Sequence, residues 1–305
     1  LTGTIFTGAN ISELDLTRQD LTEVNLTGMN LDNVNLSGKN LTNAILIGVN
    51  LSYKDLTGTI LKGADLSYAN LSGVNLSEKD LTGTIFTGTD LTGTTLKEAD
   101  LSQANLTGTD LSSMDLTGIN LKYADLSNAD LSHSKLIDSQ LTRSILINTD
   151  IRYADFTGAY LQNVDFTVIK DKNWDGTIFF DTTLSKSNLE GMDFSGKDLT
   201  LSYFAKSKLK GANFSNDVTI HGTFFREANL MNANFEGANL APRTTYNKLF
   251  ENMAYIVDPT ATGYIADGVD LGVKLMGYQT IFVYDTEVRG DDLFVSYFLV
   301  TSFHD

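Results

Sequence analysis

Read at every fifth position from Leu1, the chain is apolar without exception as far as Phe166. The positions run Leu1, Phe6, Ile11, Leu16, Leu21, and all 34 are Leu, Ile or Phe. Helices repeat near 3.6 residues and strands at 2, and neither gives a period of five. A chain wound into coils of four five-residue sides does. Each side turns one large apolar residue inward, and a full winding takes about 20 residues before the chain stacks on itself.

The register then slips. Three residues are inserted around 167–173, and the fives resume at Trp174 and continue through Phe179, Leu184, Leu189 and on to Phe214. One more residue is inserted within 215–219, and a last run covers Ile220, Phe225, Leu230, Phe235 and Leu240. The 48 units predict about 12 coils, which at ~4.8 Å per coil make a rod roughly 58 Å long. The predicted domains are therefore a solenoid over residues 1–240 and a separate segment over 241–305.

Units such as Ala64-Asp65-Leu66, Ala69-Asn70-Leu71, Ala104-Asn105-Leu106 and Ala238-Asn239-Leu240 carry an A-(D/N)-L-x-x motif. In this the sequence resembles the pentapeptide-repeat family. The resemblance covers residues 1–240 and implies an all-β solenoid, a right-handed quadrilateral parallel β-helix, here with a small C-terminal α+β tail. It is specific for fold and says little about function, because one fold serves many purposes.

Two residues before each central one lies a second inward position, usually Ala, Thr, Val or Ser. Gln19, Lys39, Lys54, Lys79 and Lys197 depart from this. An unpaired ammonium in a narrow core is costly. The expectation is that the stems lie along the wall while the charged ends reach water or carbonyls; a buried polar row is the other reading. The residue just before the central one is mostly Asn or Asp, short side chains that bond local backbone and hold a corner. These are read as structural, not as catalytic pairs or metal ligands.

At that corner position Ile replaces Asn or Asp at 5, 45, 60, 85 and 145. Ile5, Ile45, Ile85 and Ile145 are congruent modulo 20, so they fall on one side. Exposed apolar stripes tend to mark contacts. The stripe is a candidate interaction face; the alternative is a corner turn that tucks Ile inward.

After Leu240 the period ends at Pro242. Thr244 or Thr245 can cap a short helix with Tyr246, Leu249, Phe250 and Met253 on one face. Strand-like runs follow at 269–276, 278–288 and 293–303, the last two joined by Arg289-Gly290-Asp291-Asp292, read as a hairpin turn. A solenoid needs covered ends. The tail can cover one; Leu1 leaves the other bare and points to a processed or trimmed chain, or to a molecule stacked there.

Composition narrows the chemistry. With no cysteine, disulfides and thiolate sites are excluded within these residues. A net charge of −16 argues against direct nucleic-acid binding, which needs clustered Lys and Arg. It suits basic partners, or simply keeps the protein in solution. No apolar run is long enough to span a membrane, and no signal segment opens the chain, so cytoplasmic and secreted locations both stand. Three separated histidines, at 133, 221 and 304, offer no metal site or nucleophile triad. No enzyme, cofactor or metal is expected.

The leading reading is a structural or protein-interaction module, an acidic rod that docks partners or associates with itself, end to end or laterally. The resemblance adds two alternatives: a DNA mimic acting on DNA gyrase or topoisomerase, or the targeting arm of a larger secreted bacterial effector. A bacterial origin is likewise implied by the resemblance alone.

Overall fold

The computed structural model describes residues 1–6, 19–220, 223–225, 228–235 and 238, and the backbone of 280–289 and 292–301. The helix read over 246–253 and the strand run 269–276 lie outside the described residues. The chain forms two compact units. One is Leu1–Tyr160 with Val168–Thr177, and the other is Leu161–Thr167 with Ile178–Asp305.

The first unit is built from one five-residue device. The central residue accepts a turn-closing bond from three residues on: the Ala44 N–H donates to Leu41 O (3.0 Å) and the Ala64 N–H to Leu61 O (2.9 Å). In most turns the third residue takes a positive φ, as a type II turn requires; Asn33 is an exception. Glycine does this at no steric cost, yet Glu23, Tyr53, Gln103 and His133 do so too, at φ between 59° and 55° for the first two and 60° for the others. Between turns the chain is extended and pairs with the next coil in parallel, Asn25 with Ile45 and Ile45 with Asp65. The Leu26 N–H donates to Ile45 O (2.8 Å), and the Ile45 N–H to Val24 O (2.8 Å). Turns stack as well, the Glu23 N–H donating to Thr42 O (2.9 Å). Each coil thus satisfies the backbone of its neighbour, and the architecture is a β-solenoid.

The central residues close the core. Leu21, Leu41, Leu61 and Leu81 are all within 1% of full burial. Burying a side chain of this size contributes roughly 1.5–3 kcal/mol, and the gain recurs in each coil. The second inward position adds a polar thread. The hydroxyl of Thr84 donates to Leu61 O (3.1 Å), Thr89 to Leu66 O (2.8 Å) and Thr94 to Leu71 O (2.9 Å), each reaching back 23 residues. Lys79 uses the same kind of acceptor, its Nζ donating to Leu56 O (2.7 Å) and also to Thr59 O (3.3 Å), whereas Lys54 Nζ donates to the nearby Asp32 O and Val34 O (both 3.2 Å). At Lys79 an ammonium replaces a hydroxyl at the free lone pairs of the wall, which is why the narrow core tolerates it.

The insertion near 170 forms a short 3-10 turn, Lys170–Lys172. Its Ile169 is buried, and the Lys170 N–H donates to Thr149 O (3.0 Å), so the extra residues bulge without opening the first unit.

In the second unit the pairing offset is 23 residues at Asp165 with Asn188, 20 at Thr183 with Tyr203, and 21 at Asp198 with Thr219. Its core is aromatic. Phe194, Phe214 and Phe235 stack face to face at 4.6 and 4.7 Å, and Phe204 stacks on Phe225 at 5.2 Å. The two columns meet edge to face, Phe214 against Phe225 at 5.5 Å, a favoured geometry for the ring quadrupoles. Strand β1 (Ala228–Asn229) continues the coil ladder, Asn229 pairing in parallel with Lys208. On its other edge it pairs antiparallel with β3 (Asp292–Thr301), which forms a hairpin with β2 (Thr280–Arg289).

Candidate interaction faces

Two residue columns of the first unit carry surface chemistry. The first is the one marked by the isoleucines. The pairings run Ile5 to Asn25, Ile45, Asp65, Ile85, Asn105, Asp125 and Ile145, one residue per coil. The four candidate residues therefore do share one ladder, separated by Asn and Asp. Ile5 is 71% exposed and Ile145 43%, while Ile45 and Ile85 are half-buried. The polar members fold onto the following turn: Asn25 Oδ1 accepts the Thr27 N–H (3.0 Å) and hydroxyl (2.7 Å). Ile60, the fifth corner isoleucine, stands on another side, paired with Asn40.

Sequence reasoning passed over the second column. Asp110, Asp130 and Asp150 pair each on the next, and Asp90 stands one coil before them, paired with Asn70. Four carboxylates thus recur about every 4.8 Å along one side. Congruence of 90, 110, 130 and 150 modulo 20 was the available signal, hidden because Asp is common at every corner. Each carboxylate accepts the N–H two residues on, from Thr92 (3.0 Å), Ser112 (2.9 Å), Ser132 (2.8 Å) and Arg152 (3.2 Å). The Thr92 backbone and hydroxyl hold the Asp90 carboxyl below its usual range.

The column ends in a charge cluster. Asp150 is 5% exposed and receives Arg152 through Nε (2.9 Å) and a second, short contact from the guanidinium, with Lys170 Nζ at 3.3 Å. Arg152 above all, with its own N–H and Lys170, pulls the Asp150 carboxyl down to about 2 against the burial that opposes it. Lys170 belongs to the inserted turn, so this cluster ties the insertion to the coil before it.

Aromatic residues occupy several turns. His133 stacks on Tyr153 at 4.7 Å, and Arg143 lies over Tyr123 at 5.8 Å. Among the described residues, no group of three His, Cys, Asp or Glu could hold a metal ion, and no helix is long and apolar enough to cross a membrane.

The match to a family model agrees with this repeat architecture. The family model described as pentapeptide repeats matches in eight copies, over residues 1–38, 30–63, 40–78, 84–122, 124–163, 177–216 and 218–241. Among solved structures, the chain is similar to HetL, a pentapeptide repeat protein involved in heterocyst differentiation regulation from the cyanobacterium Nostoc sp. The identity is 28% over 73% of this chain and 82% of that one, with a TM-score of 0.26. It is also similar to QnrB1, a plasmid-mediated fluoroquinolone resistance protein, at 17% identity over 77% and 99% of the two chains (TM-score 0.20). A third is a pentapeptide repeat protein from the Arabidopsis thaliana thylakoid lumen, at 25% identity over 39% and 65% (TM-score 0.13). No curated protein matches.

Proposed function

The chain belongs to the pentapeptide-repeat family, and from that premise we propose that it is a non-enzymatic interaction module whose acidic sides receive a basic protein surface. The observation that carries this is the carboxylate column Asp90, Asp110, Asp130 and Asp150. Its first two members are exposed and the third half-buried. Carboxylates at one-coil spacing form a line of negative potential that attracts and orients clustered Lys and Arg. Four five-residue units between stacked residues support the finer architecture, a right-handed four-sided helix of about 12 coils over 1–240, followed by 241–305 as a tail whose strand β3 pairs with β1.

The test replaces Asp90, Asp110 and Asp130 together with Asn. Asn30, Asn50 and Asn70 already occupy this column, so the turns are kept and only charge is lost. In matched affinity captures, basic proteins held by the wild type should be lost by the variant. Identical captures would refute the reading.

The same column supports a second reading, a DNA mimic directed at gyrase, since a row of carboxylates resembles a row of phosphates in charge. A supercoiling assay decides between them: inhibition or protection of gyrase by the wild type, abolished by the triple variant, selects the mimic.

A further inference from the structure

The isoleucine side differs from the rest of the first unit in charge. Together with the turns that border it, it holds Glu23, Asp65 and Asp125 against Lys62, Lys122 and Arg143 within residues 19–160. The balance is zero. The remaining sides of the same stretch carry fourteen acidic and six basic residues. The acidic excess therefore lies wholly off this side. Apolar groups gather on it as well. Beside the Ile5, Ile45, Ile85 and Ile145 ladder, the bordering turns expose Ile147, Tyr68 and Tyr123. Ile60 and Tyr160 share another column, but there Asp20, Asp80 and Asp100 stand among them.

Two copies of a chain with net charge −16 repel each other. They approach most closely where that repulsion is absent and where apolar area can be removed from water. From this we infer that the isoleucine side is the contact between two copies of this chain, which pair laterally through it. The inference deepens the interaction reading above but uses a different side, so the carboxylate column stays free for a basic partner. From Ile5 to Ile145 is seven coil steps, about 34 Å at ~4.8 Å each, and the side with its turns is roughly 15 Å wide. That is about 500 Å² per copy, or about 1,000 Å² in total, near the lower bound for specific association. An interface at this lower bound is tested for association at micromolar and higher protein concentration.

The structure also supplies a clean perturbation. Asn25 and Asn105 occupy the same ladder, and the Asn25 side chain bonds the turn two residues on. Replacing Ile45, Ile85 and Ile145 with Asn thus installs a residue the ladder already uses. Sedimentation equilibrium of the full chain, from about 1 to about 200 μM and at about 0.02 and about 0.3 M salt, reads the outcome. The wild type should pass from monomer to dimer, with tighter association at the higher salt because screening removes the like-charge repulsion. The triple variant should associate at least about tenfold more weakly with an unchanged unfolding midpoint, and Ile60→Asn should match the wild type. A wild type monomeric throughout, a triple variant that dimerises normally, or growth beyond dimers unaffected by the triple change would each overturn the inference. Binding of a basic partner weakens with salt, the opposite sign, so failure here and failure of the acidic-column reading are told apart.

Discussion

Replacing Asp150 with Asn removes one negative charge from a buried cluster and little else. Asn fits this column in the coils at 30, 50 and 70, so the bond from the Arg152 N–H has an acceptor in the variant. What is lost is the attraction of Arg152 and Lys170. In the folded protein the Asp150 carboxyl titrates at about 2, against 3.8 ordinarily. At 1.36 kcal/mol per unit the shift corresponds to roughly 2 kcal/mol at most. The outer ends of both cations are in solvent, with side chains 42% and 46% exposed, so screening reduces this to about 1–2 kcal/mol. Arg152 is also attracted by Asp130 and Asp171, so the variant keeps part of its electrostatic environment. The folded-state value is depressed, so the stabilisation is complete above pH 3.8 and is lost as pH falls towards 2. Urea unfolding at pH 7 should show Asp150→Asn less stable by about 1–2 kcal/mol, with the gap closing between pH 4 and pH 2. Amide exchange of residues 168–173 should accelerate in parallel, because Lys170 carries the tie to the insertion. Equal stability at pH 7, or a gap that persists unchanged at pH 2, would refute the reasoning.

Three further changes probe the coil. Gly73→Ala should cost more than Gly83→Ala, since both glycines have positive φ but a methyl at 73 would land in the Tyr53 ring, while nothing lies near 83. The difference should fall when Tyr53 is also replaced by Ala in a double-mutant cycle. The Ser144 hydroxyl is buried with no hydrogen-bond partner among the described residues. Ser144→Ala, the residue found at 104 and 124 in that column, should therefore raise the thermal midpoint slightly, by up to about 1 kcal/mol in stability. Lys79→Thr should hold stability within about 1 kcal/mol because Thr59 one coil back bonds the wall carbonyl of Leu36 (2.8 Å). Lys79→Ala should cost about 0.5–1.5 kcal/mol, as read by urea denaturation, because Leu56 O then keeps only the turn-closing bond from the Thr59 N–H (3.0 Å).

The sequence by itself determined the solenoid. A large apolar residue at every fifth position can be buried on one side only by a chain that turns after each five, and the motif Ala64-Asp65-Leu66 named the family without any coordinates. It also located the isoleucine ladder, because congruence modulo 20 is congruence in space once the coil is granted. That the lysine ends would reach either water or carbonyls was legible, and the structure gives carbonyls to Lys54 and Lys79. Tertiary structure decided what depends on neighbours in adjacent coils. It fixed how far each isoleucine is exposed, and that Tyr53 lies over Gly73. It also decided that Lys170, in an insertion the sequence could only mark as a slip, folds back onto Asp150. The carboxylate column fell between the two. Its residues were in view and congruent modulo 20, but Asp at a corner is so common that the column did not stand out until the stacked pairs were seen. A five-residue period is a local property that each unit repeats, whereas charge and exposure on a side are sums over coils 20 residues apart.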